Sequence, residues 1–229
     1  MLVVVAAGPG LGLAVARRFA REGVSVGLVA RSPQTLQDLA EDVRRGAPDQ
    51  GVRVATAVAD VADEAALRAA LRNLAAELGE VTMLVYNGSA YVEGPVTSLT
   101  TADLRVALDV GVTGALVAVQ EVVPARRAAG RGTVILAGSV AADRASTSAA
   151  AVGVAKAALR SLARSLHKEV AADGIHATTV TINGVLAGPK ALDLDAKTIR
   201  QLSTKSEQPV VNMSGKLKQD HGAATSGSS

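Results

Sequence analysis

The sequence predicts an α/β fold built on a single doubly wound parallel sheet with helices on both faces. Three observations predict it. The chain alternates short β-branched runs with longer segments of helical periodicity. Five of six candidate strands are nearly continuous apolar runs, as expected for parallel strands that helices cover on both sides. Glycines also cluster between the first strand and the first helix, where such folds turn tightly.

The candidate strands are short runs rich in Val. In chain order they are Leu2–Ala7, Val24–Ala30, Val52–Val58, Val81–Tyr86, Thr133–Ala137 and Ala177–Ile182. The third of them alternates apolar and polar residues instead of running apolar throughout, which places it nearer an edge of the sheet.

Five helical segments separate these strands. The second of them opens with a Ser32-Pro33 start signal, and the third carries leucines at helical spacing. The segments are Gly10–Arg21, Pro33–Arg45, Ala62–Leu78, Thr101–Ala128 and Thr147–Ala172. This alternation predicts repeated βαβ units and one domain over residues 1–218.

Beyond Gly188 the pattern weakens. We expect a short helix near Asp195–Leu202 and a possible last strand in Pro209–Leu217. Residues 219–229 are polar and rich in Gly, Ser and Ala, a composition typical of a disordered tail.

Composition excludes several classes of function. The 229 residues include no Cys, which excludes disulfides, thiolate metal sites and Cys nucleophiles, and we predict no metal site. A net charge of +3 with 1% aromatic residues argues against a nucleic-acid surface. The apolar start is too short for a signal peptide, and no stretch approaches the ~20 apolar residues of a membrane span. We therefore expect a cytoplasmic protein that binds neither nucleic acid nor membrane.

Three glycines lie between the first strand and the first helix, in the segment "AAGPGLGLA". Glycines there let the backbone approach a pyrophosphate, whose charge the helix N-terminus favours. An ordinary tight turn is the alternative. Because the cluster has the strand–turn–helix context that a phosphate loop needs, it predicts a Rossmann-like dinucleotide site.

With its surroundings, this loop resembles the TGxxxGxG loop of the short-chain dehydrogenase/reductase family. Gly10 and Gly12 match, whereas Ala6 stands at the family's first glycine, where it narrows the permitted backbone angles. Gly8 is expected to recover some of that freedom. The resemblance implies a cofactor loop made of Ala6, Gly8, Gly10, Leu11 and Gly12.

The resemblance continues in order through almost the whole chain. The segment "AVADVADEAAL" resembles the one whose aspartate, here Asp60, holds the adenine, with Val61 beside it. The segment "LVYNGSA" resembles the family's NNAG turn and carries Asn87 and Gly88.

The later segments carry the family's catalytic residues. The segment "GTVILAGSVAA" resembles the fifth strand and implies Ser139 as the catalytic serine, and "VGVAKAAL" resembles the YxxxK helix with Lys156 as its lysine. That lysine is implied to reach the nicotinamide ribose. The segment "TVTINGVLAGP" resembles the sixth strand and the turn beyond it, with Ala187 where proline is usual.

The end of the second strand bears on the choice of cofactor. NAD enzymes usually carry an acid there, but this strand ends in Ala30, followed by Arg31 and Ser32. We find no carboxylate there to repel a 2′-phosphate, while a guanidinium and a hydroxyl can bind one. The pattern implies NADP (NADPH). The alternative is that Arg31 only solvates a loop.

Two catalytic positions depart from the family. Val152 stands four residues before Lys156, where the family has the tyrosine that protonates the carbonyl oxygen. Gly111, in "DVGVTGAL", falls where the family has an asparagine linked to the lysine through water. Such replacements place the chain in a divergent branch that lacks the tyrosine of YxxxK.

The chain has two tyrosines, and neither stands at the missing position. Tyr91 lies on the loop after strand four and is the alternative candidate for the proton donor, whereas Tyr86 is expected to pack near the cofactor. We interpret the segment from Ser146 to Ser148 mainly as a cap for the following helix. His167 and His176 are expected at the surface, away from the chemistry.

Two functions remain open. The first is an NADP-dependent oxidoreductase of atypical active site that transfers hydride to a carbonyl, imine or similar group of a small molecule. The second is a non-redox protein on the same scaffold, either a regulatory partner or a repurposed pocket, favoured by the loss of the tyrosine and the asparagine. The apolar faces of the two long helices predict a homodimer or homotetramer, with burial inside a monomer as the alternative.

Overall fold

The sheet contains seven parallel strands in the order β3-β2-β1-β4-β5-β6-β7. The computed structural model describes residues 1–47, 51–183 and 210–214, the last as backbone only. The strands are β1 Leu2–Val5, β2 Val26–Ala30, β3 Val54–Val58, β4 Met83–Tyr86, β5 Gly132–Ser139, β6 Ile175–Asn183 and β7 Val210–Ser214. The order reverses between β1 and β4, which opens a crevice at the carboxyl ends of those two strands.

Helices connect these strands, and side chains fix where several of them begin. Ser32 caps one helix by accepting the Thr35 N–H, and Asp63 caps the next by accepting the Ala66 N–H. The helices are α1 Leu11–Arg21, α2 Pro33–Arg45, α3 Glu64–Leu78, α4 Thr101–Leu108, α5 Gly114–Ala129 and α6 Ala150–Val170.

The apolar residues form one core on each face of the sheet. On β1, Val3 and Val5 face the core under α3, α5 and α6, while Leu2 and Val4 face the core under α1 and α2. Successive strand side chains point to opposite faces, so a continuous apolar strand supplies both cores at once. The predicted doubly wound sheet with helices on both faces is therefore confirmed.

The six predicted strands are all present, and the possible seventh forms as β7. The alternating segment lies at the sheet's edge as β3, as its pattern indicated. The predicted helix Asp195–Leu202 and the tail 219–229 lie outside the described residues.

Both long helices differ from their predicted bounds. The predicted segment Thr101–Ala128 is α4, a π-helical turn at Asp109–Thr113, and α5. The helix α6 begins three residues later than predicted. The Ser146 hydroxyl accepts the N–H groups of Ser148 and Ala149, which holds this stretch in a turn ahead of the helix.

Two further expectations need correction. The stretch Thr101–Ala129 is long and apolar enough for a membrane span by length and composition, although half of its most apolar window is buried in the protein, as in a core helix. The imidazoles of His167 and His176 are half-buried and not at the surface. Their ring centroids lie 6.2 Å apart in an edge-to-face arrangement.

Candidate cofactor and active site

A cleft of about 370 Å³ opens at the carboxyl ends of β1, β2 and β4. Its size lies within the range of small-molecule sites. Five of the residues predicted to contact the cofactor line this cleft: Ala6, Arg31, Asp60, Val61 and Asn87.

The glycine loop continues from Ala6 and Ala7, which line the cleft, and its backbone is open. A Cβ atom built on Gly8 or on Gly10 would meet no atom within 4 Å. A Cβ on Gly12 would instead lie 3.1 Å from Ala7 Cα, so this glycine lets α1 pack tightly on the end of β1. No side chain caps the start of α1, beside the buried Leu11. The loop therefore fits an anionic group held by backbone N–H groups.

Ala6 has an unusual backbone conformation. Its φ of +56° lies in the left-handed region and is the only positive φ of a non-glycine residue in the part of the chain that the structure describes. Gly8 was expected to recover conformational freedom here, but its φ is not positive, so the left-handed conformation in this loop is adopted by Ala6 itself. The turn that the family's first glycine would make is made by an alanine.

Asn87 links two of the segments that border the cleft. Its side-chain amide donates to the Ala6 carbonyl at 3.2 Å, and its backbone N–H donates to the Val5 carbonyl at 2.9 Å. The turn after β4 and the loop after β1 are thus held together across the point where the strand order reverses. Asn87 supports the loop as well as lining the cleft.

Tyr86 lies beneath this turn and is fully buried. Its hydroxyl donates to the Val110 carbonyl in the π-helical turn. A Cβ atom on Gly88 would lie 2.6 Å from that hydroxyl, and one on Gly114 would also clash with it. The two glycines therefore provide the space that the phenol fills, a relation that the sequence pattern did not reveal.

Burial also sets the protonation state of the Tyr86 phenol. Burial, with a smaller effect from the charge of Asp60, raises the pKa of the Tyr86 phenol well above its ordinary value. The phenol stays protonated and is used in a hydrogen bond to the backbone. Tyr86 therefore stabilises the site instead of lining the crevice.

Lys156 lies where β4 and β5 end. Its ammonium donates to the Ala137 carbonyl at 2.7 Å and to the Gly88 carbonyl at 3.2 Å. The side chain is buried, and that burial lowers its pKa to about 8. The resemblance implied a lysine that reaches a ribose; in this structure the two carbonyls hold its ammonium, with one N–H left over.

Three further positions surround Lys156. The Ser139 hydroxyl, at the end of β5, accepts the Ala141 N–H at 3.1 Å and keeps its own proton to donate. Val152 is half-buried one turn before Lys156. Gly111 lies in the π-helical turn, where a Cβ would come within 3.1 Å of the Ala155 Cβ. The close packing of this turn against α6 explains why a residue as small as glycine fits at position 111.

The structure places a carboxylate beside Arg31, contrary to expectation. The guanidinium of Arg31 lies 3.9 Å from the Asp60 carboxylate, which comes from the end of the neighbouring strand β3. The Arg31 side chain is 77% exposed, so this pair is weak and the guanidinium can turn toward a ligand. The Ser32 hydroxyl accepts the Thr35 N–H as the cap of α2 and retains a proton to donate.

Tyr91 is 70% exposed on the loop between β4 and α4, and its role stays a prediction. This loop is fastened to the segment before α6, because the Gly94 N–H donates to the Ser148 carbonyl at 2.8 Å and a parallel bridge joins Gly94 to Ala149. Within the described residues no group of three or more His, Asp or Glu side chains is placed to hold a metal ion.

Comparison with known proteins agrees with this geometry. Residues 1–201 match the family described as short chain dehydrogenase. The chain belongs to that family. The short-chain dehydrogenase match covers the glycine loop, the turn after β4 and the helix that carries Lys156.

Two curated relatives illustrate the range of the family. The chain is 31% identical over 172 residues to 3-dehydrosphinganine reductase TSC10B of Arabidopsis thaliana, covering 74% of the chain and 50% of that protein. It is 31% identical over 182 residues to sulfoacetaldehyde reductase 2 of Chromohalobacter salexigens, covering 79% and 70% respectively. The chain spans about half the length of the plant reductases it matches.

Solved structures of the family share the fold. Levodione reductase superimposes with a TM-score of 0.76 at 27% identity, covering 80% of this chain and 70% of that one. A gluconate 5-dehydrogenase from Burkholderia cenocepacia J2315, solved in complex with NADP and tartrate, gives 0.74 at 27% identity, with coverages of 86% and 76%.

We predict that Ala6→Gly stabilises the protein. An alanine in the left-handed region costs about 1 kcal/mol that glycine does not, so the free energy of unfolding should rise by roughly that amount. Urea denaturation measures it. The matched control is Ala69→Gly, on the exposed face of α3, which should lower stability by about 1 kcal/mol. A loss of stability at both positions would contradict the assigned φ of Ala6.

We predict that Tyr86→Phe costs about 1–3 kcal/mol, because it leaves the Val110 carbonyl without its buried donor. Tyr91→Phe, at the exposed tyrosine, should change stability by less than about 0.5 kcal/mol. Since the pKa of Tyr86 is higher when folded, its contribution is complete below pH 10, the ordinary value, and declines above it. The gap between wild type and Tyr86→Phe should therefore narrow from pH 10 to 11; a constant gap would argue against a buried phenol.

Proposed function

We propose that this protein is an NADP-dependent oxidoreductase that transfers hydride to a carbonyl, imine or similar group of a small molecule, at a site without the family's tyrosine. The observation that carries the proposal is the open glycine loop. Its uncovered backbone at Gly8 and Gly10 lies beside a cleft bordered by Arg31, Asp60 and Asn87. That arrangement has the shape and the donors that a dinucleotide requires.

Each part of the cofactor has a candidate partner in this chain. The N–H groups around Gly10 and Leu11 would hold the pyrophosphate at the start of α1. Asp60 and Val61 would border the adenine, and Lys156 would approach the nicotinamide ribose from the ends of β4 and β5. When bound, the reduced nicotinamide supplies hydride. The names of the curated relatives, which are reductases and dehydrogenases, support this assignment.

Arg31 supports NADP as the preferred cofactor. Its guanidinium is exposed at the rim of the cleft, and the Ser32 hydroxyl beside it retains a proton to donate. A 2′-phosphate carries more charge than the single Asp60 carboxylate and accepts a bidentate arginine contact, so it would compete successfully for Arg31. The related gluconate 5-dehydrogenase was solved with NADP.

With valine at the position of the family's tyrosine, hydride transfer would be slower but still possible. Holding a hydride donor and an acceptor in the correct orientation provides a large part of the rate. A positioned acid usually adds about 10²–10⁴-fold, so a reductase without the tyrosine is expected to be slow. The specific observation that favours a non-redox role is the pair Val152 and Gly111, which removes two members of the family's catalytic set.

Apolar side chains on the outer helices support self-association. Leu116 on α5 and Val154 on α6 are 39% and 48% exposed. Burying such side chains between copies of the chain is favourable, so we propose a homodimer or homotetramer that forms through these helices. We place the protein in the cytoplasm as one domain over residues 1–218.

We predict that the protein binds NADPH, and that Arg31→Ala weakens this binding about 10- to 100-fold, the value of one charge-assisted contact of 1.5–3 kcal/mol. Affinity for NADH should change little. Because the chain has no Trp, the emission of NADPH itself or calorimetry measures binding. Arg45→Ala, at the exposed end of α2, is the matched control and should leave both affinities unchanged. Equal losses for both cofactors would remove the argument for NADP.

We predict that Val152→Tyr raises turnover of a reactive ketone by about 10²-fold, because it returns an acid to the position one helical turn from Lys156. A panel of ketones, quinones and imines measures turnover. Val154→Tyr, two residues further and exposed on the same helix, is the control and should give no gain. If neither the wild type nor Val152→Tyr turns over any acceptor while NADPH binds, the non-redox role is favoured.

A further inference from the structure

Few groups at the ends of β4 and β5 can donate a proton. The Tyr86 hydroxyl is buried and donates to a backbone carbonyl, and Val152 has no proton to give. Tyr91 is exposed on its loop. Among the described residues of these strand ends and of the first two turns of α6, this leaves the Lys156 ammonium and the hydroxyls of Ser89 and Ser139, and a serine hydroxyl is a much weaker acid than an ammonium.

Lys156 has an environment that differs from that of an ordinary surface lysine. Its ammonium donates to the carbonyls of Gly88 and Ala137, two residues before Ser139 on the same strand. Gly88 lies between Asn87 and Ser89, which both line the cleft, so its carbonyl holds the ammonium at the edge of the cleft. The two carbonyls use two of its three N–H bonds and leave one available.

The charged groups on the surrounding elements do not neutralise Lys156. On α6 itself, Arg160 is paired with Asp143 from the turn after β5. In the π-helical turn, Asp109 accepts a hydrogen bond from Thr113, and on α4 the carboxylate of Asp103 belongs to the helix cap. Tyr86, from β4, is neutral because burial raises its pKa. The pKa of Lys156 is therefore lowered by burial and not by a neighbouring charge.

We propose that the Lys156 ammonium is itself the proton donor of this active site, in the role that the family gives to the tyrosine one turn earlier. This inference rests on the proposed function. A reduced nicotinamide dinucleotide held by the glycine loop and Asn87 would supply hydride to the carbonyl carbon, and the electrons of the C=O π bond would pass to the oxygen. The oxygen takes a proton from Nζ, with the Ser139 hydroxyl donating a hydrogen bond to it. The neutral amine then regains a proton from water.

The chemistry suits a lysine in this setting. An ammonium of ordinary pKa, 10.5, is a weak acid at neutral pH, whereas one near 8 is both protonated and able to give its proton up. A positive charge at the end of β5 also stabilises the negative charge that develops on the substrate oxygen. With valine at position 152, no phenol stands between the ammonium and that oxygen.

A titration of the cofactor-free protein tests the state of Lys156 directly. Lysines labelled with ¹³C at Cε are followed by NMR from pH 6 to 11. One resonance should titrate near pH 8, disappear in Lys156→Arg and persist in Lys168→Arg, a substitution at an exposed position of the same helix. A Lys156 resonance that titrates above pH 10 overturns the proposal.

The pH dependence of single-turnover hydride transfer tests whether Lys156 donates the proton. In the wild type the rate should be constant below pH 8 and fall about tenfold per pH unit above it. In Lys156→Arg, whose guanidinium does not release its proton, the rate should fall at least 10²-fold. Lys168→Arg should match the wild type in both respects.

NADPH titrations distinguish a failure of the inference about Lys156 from a failure of the proposed function. If NADPH binds and hydride is transferred at a rate that does not change between pH 7 and 10, Lys156 is not the donor and the proposed function stands. If NADPH does not bind the wild type, the proposed function itself is wrong. If Lys156→Arg binds NADPH as the wild type does and transfers hydride as fast, the donor is another group, and Ser139→Ala then shows whether it is the serine.

Discussion

The hydrogen bonds from Lys156 to the carbonyls of Gly88 and Ala137 are the contacts on which the rest of the site depends. They fix the turn after β4 against the end of β5, and Asn87, the neighbour of Gly88, then holds the Ala6 carbonyl. A single buried cation thus joins α6, β4, β5 and the glycine loop. The ends of three strands keep their relative positions because an ammonium in an apolar setting requires oxygen partners.

Tyr86, the glycines around it and the π-helical turn depend on one another through packing. Tyr86 fills a space that exists because Gly88 and Gly114 carry no side chain, and its hydroxyl satisfies a carbonyl of the π-helical turn. That turn packs on α6 at Gly111, beside the residue that precedes Lys156. A side chain larger than that of glycine at position 111 would press on Ala155. A change at one of these residues would therefore disturb the packing of the others.

The fold could be predicted because strand and helix periodicities differ and because continuous apolar runs occur where both sheet faces are covered. The resemblance predicted Ser139, Lys156 and Asn87 as site residues, and the structure places all three at the ends of β4 and β5, while their roles stay predictions. The Arg31–Asp60 pair and the buried phenol of Tyr86 could not be predicted, since each joins residues far apart in the chain or depends on space left by glycines elsewhere. The left-handed φ of Ala6 opposes the ordinary preference of alanine, and no local pattern indicates it.

The bridge between Gly94 and Ala149 ties the loop after β4 to the segment before α6. The loop after β4 and the segment before α6 come from distant parts of the chain, yet they are hydrogen-bonded as neighbours would be. A molecule that displaces one segment must displace the other or break these bonds. The width of the entrance is consequently set by the register between two segments, and specificity can change through residues that never touch the ligand.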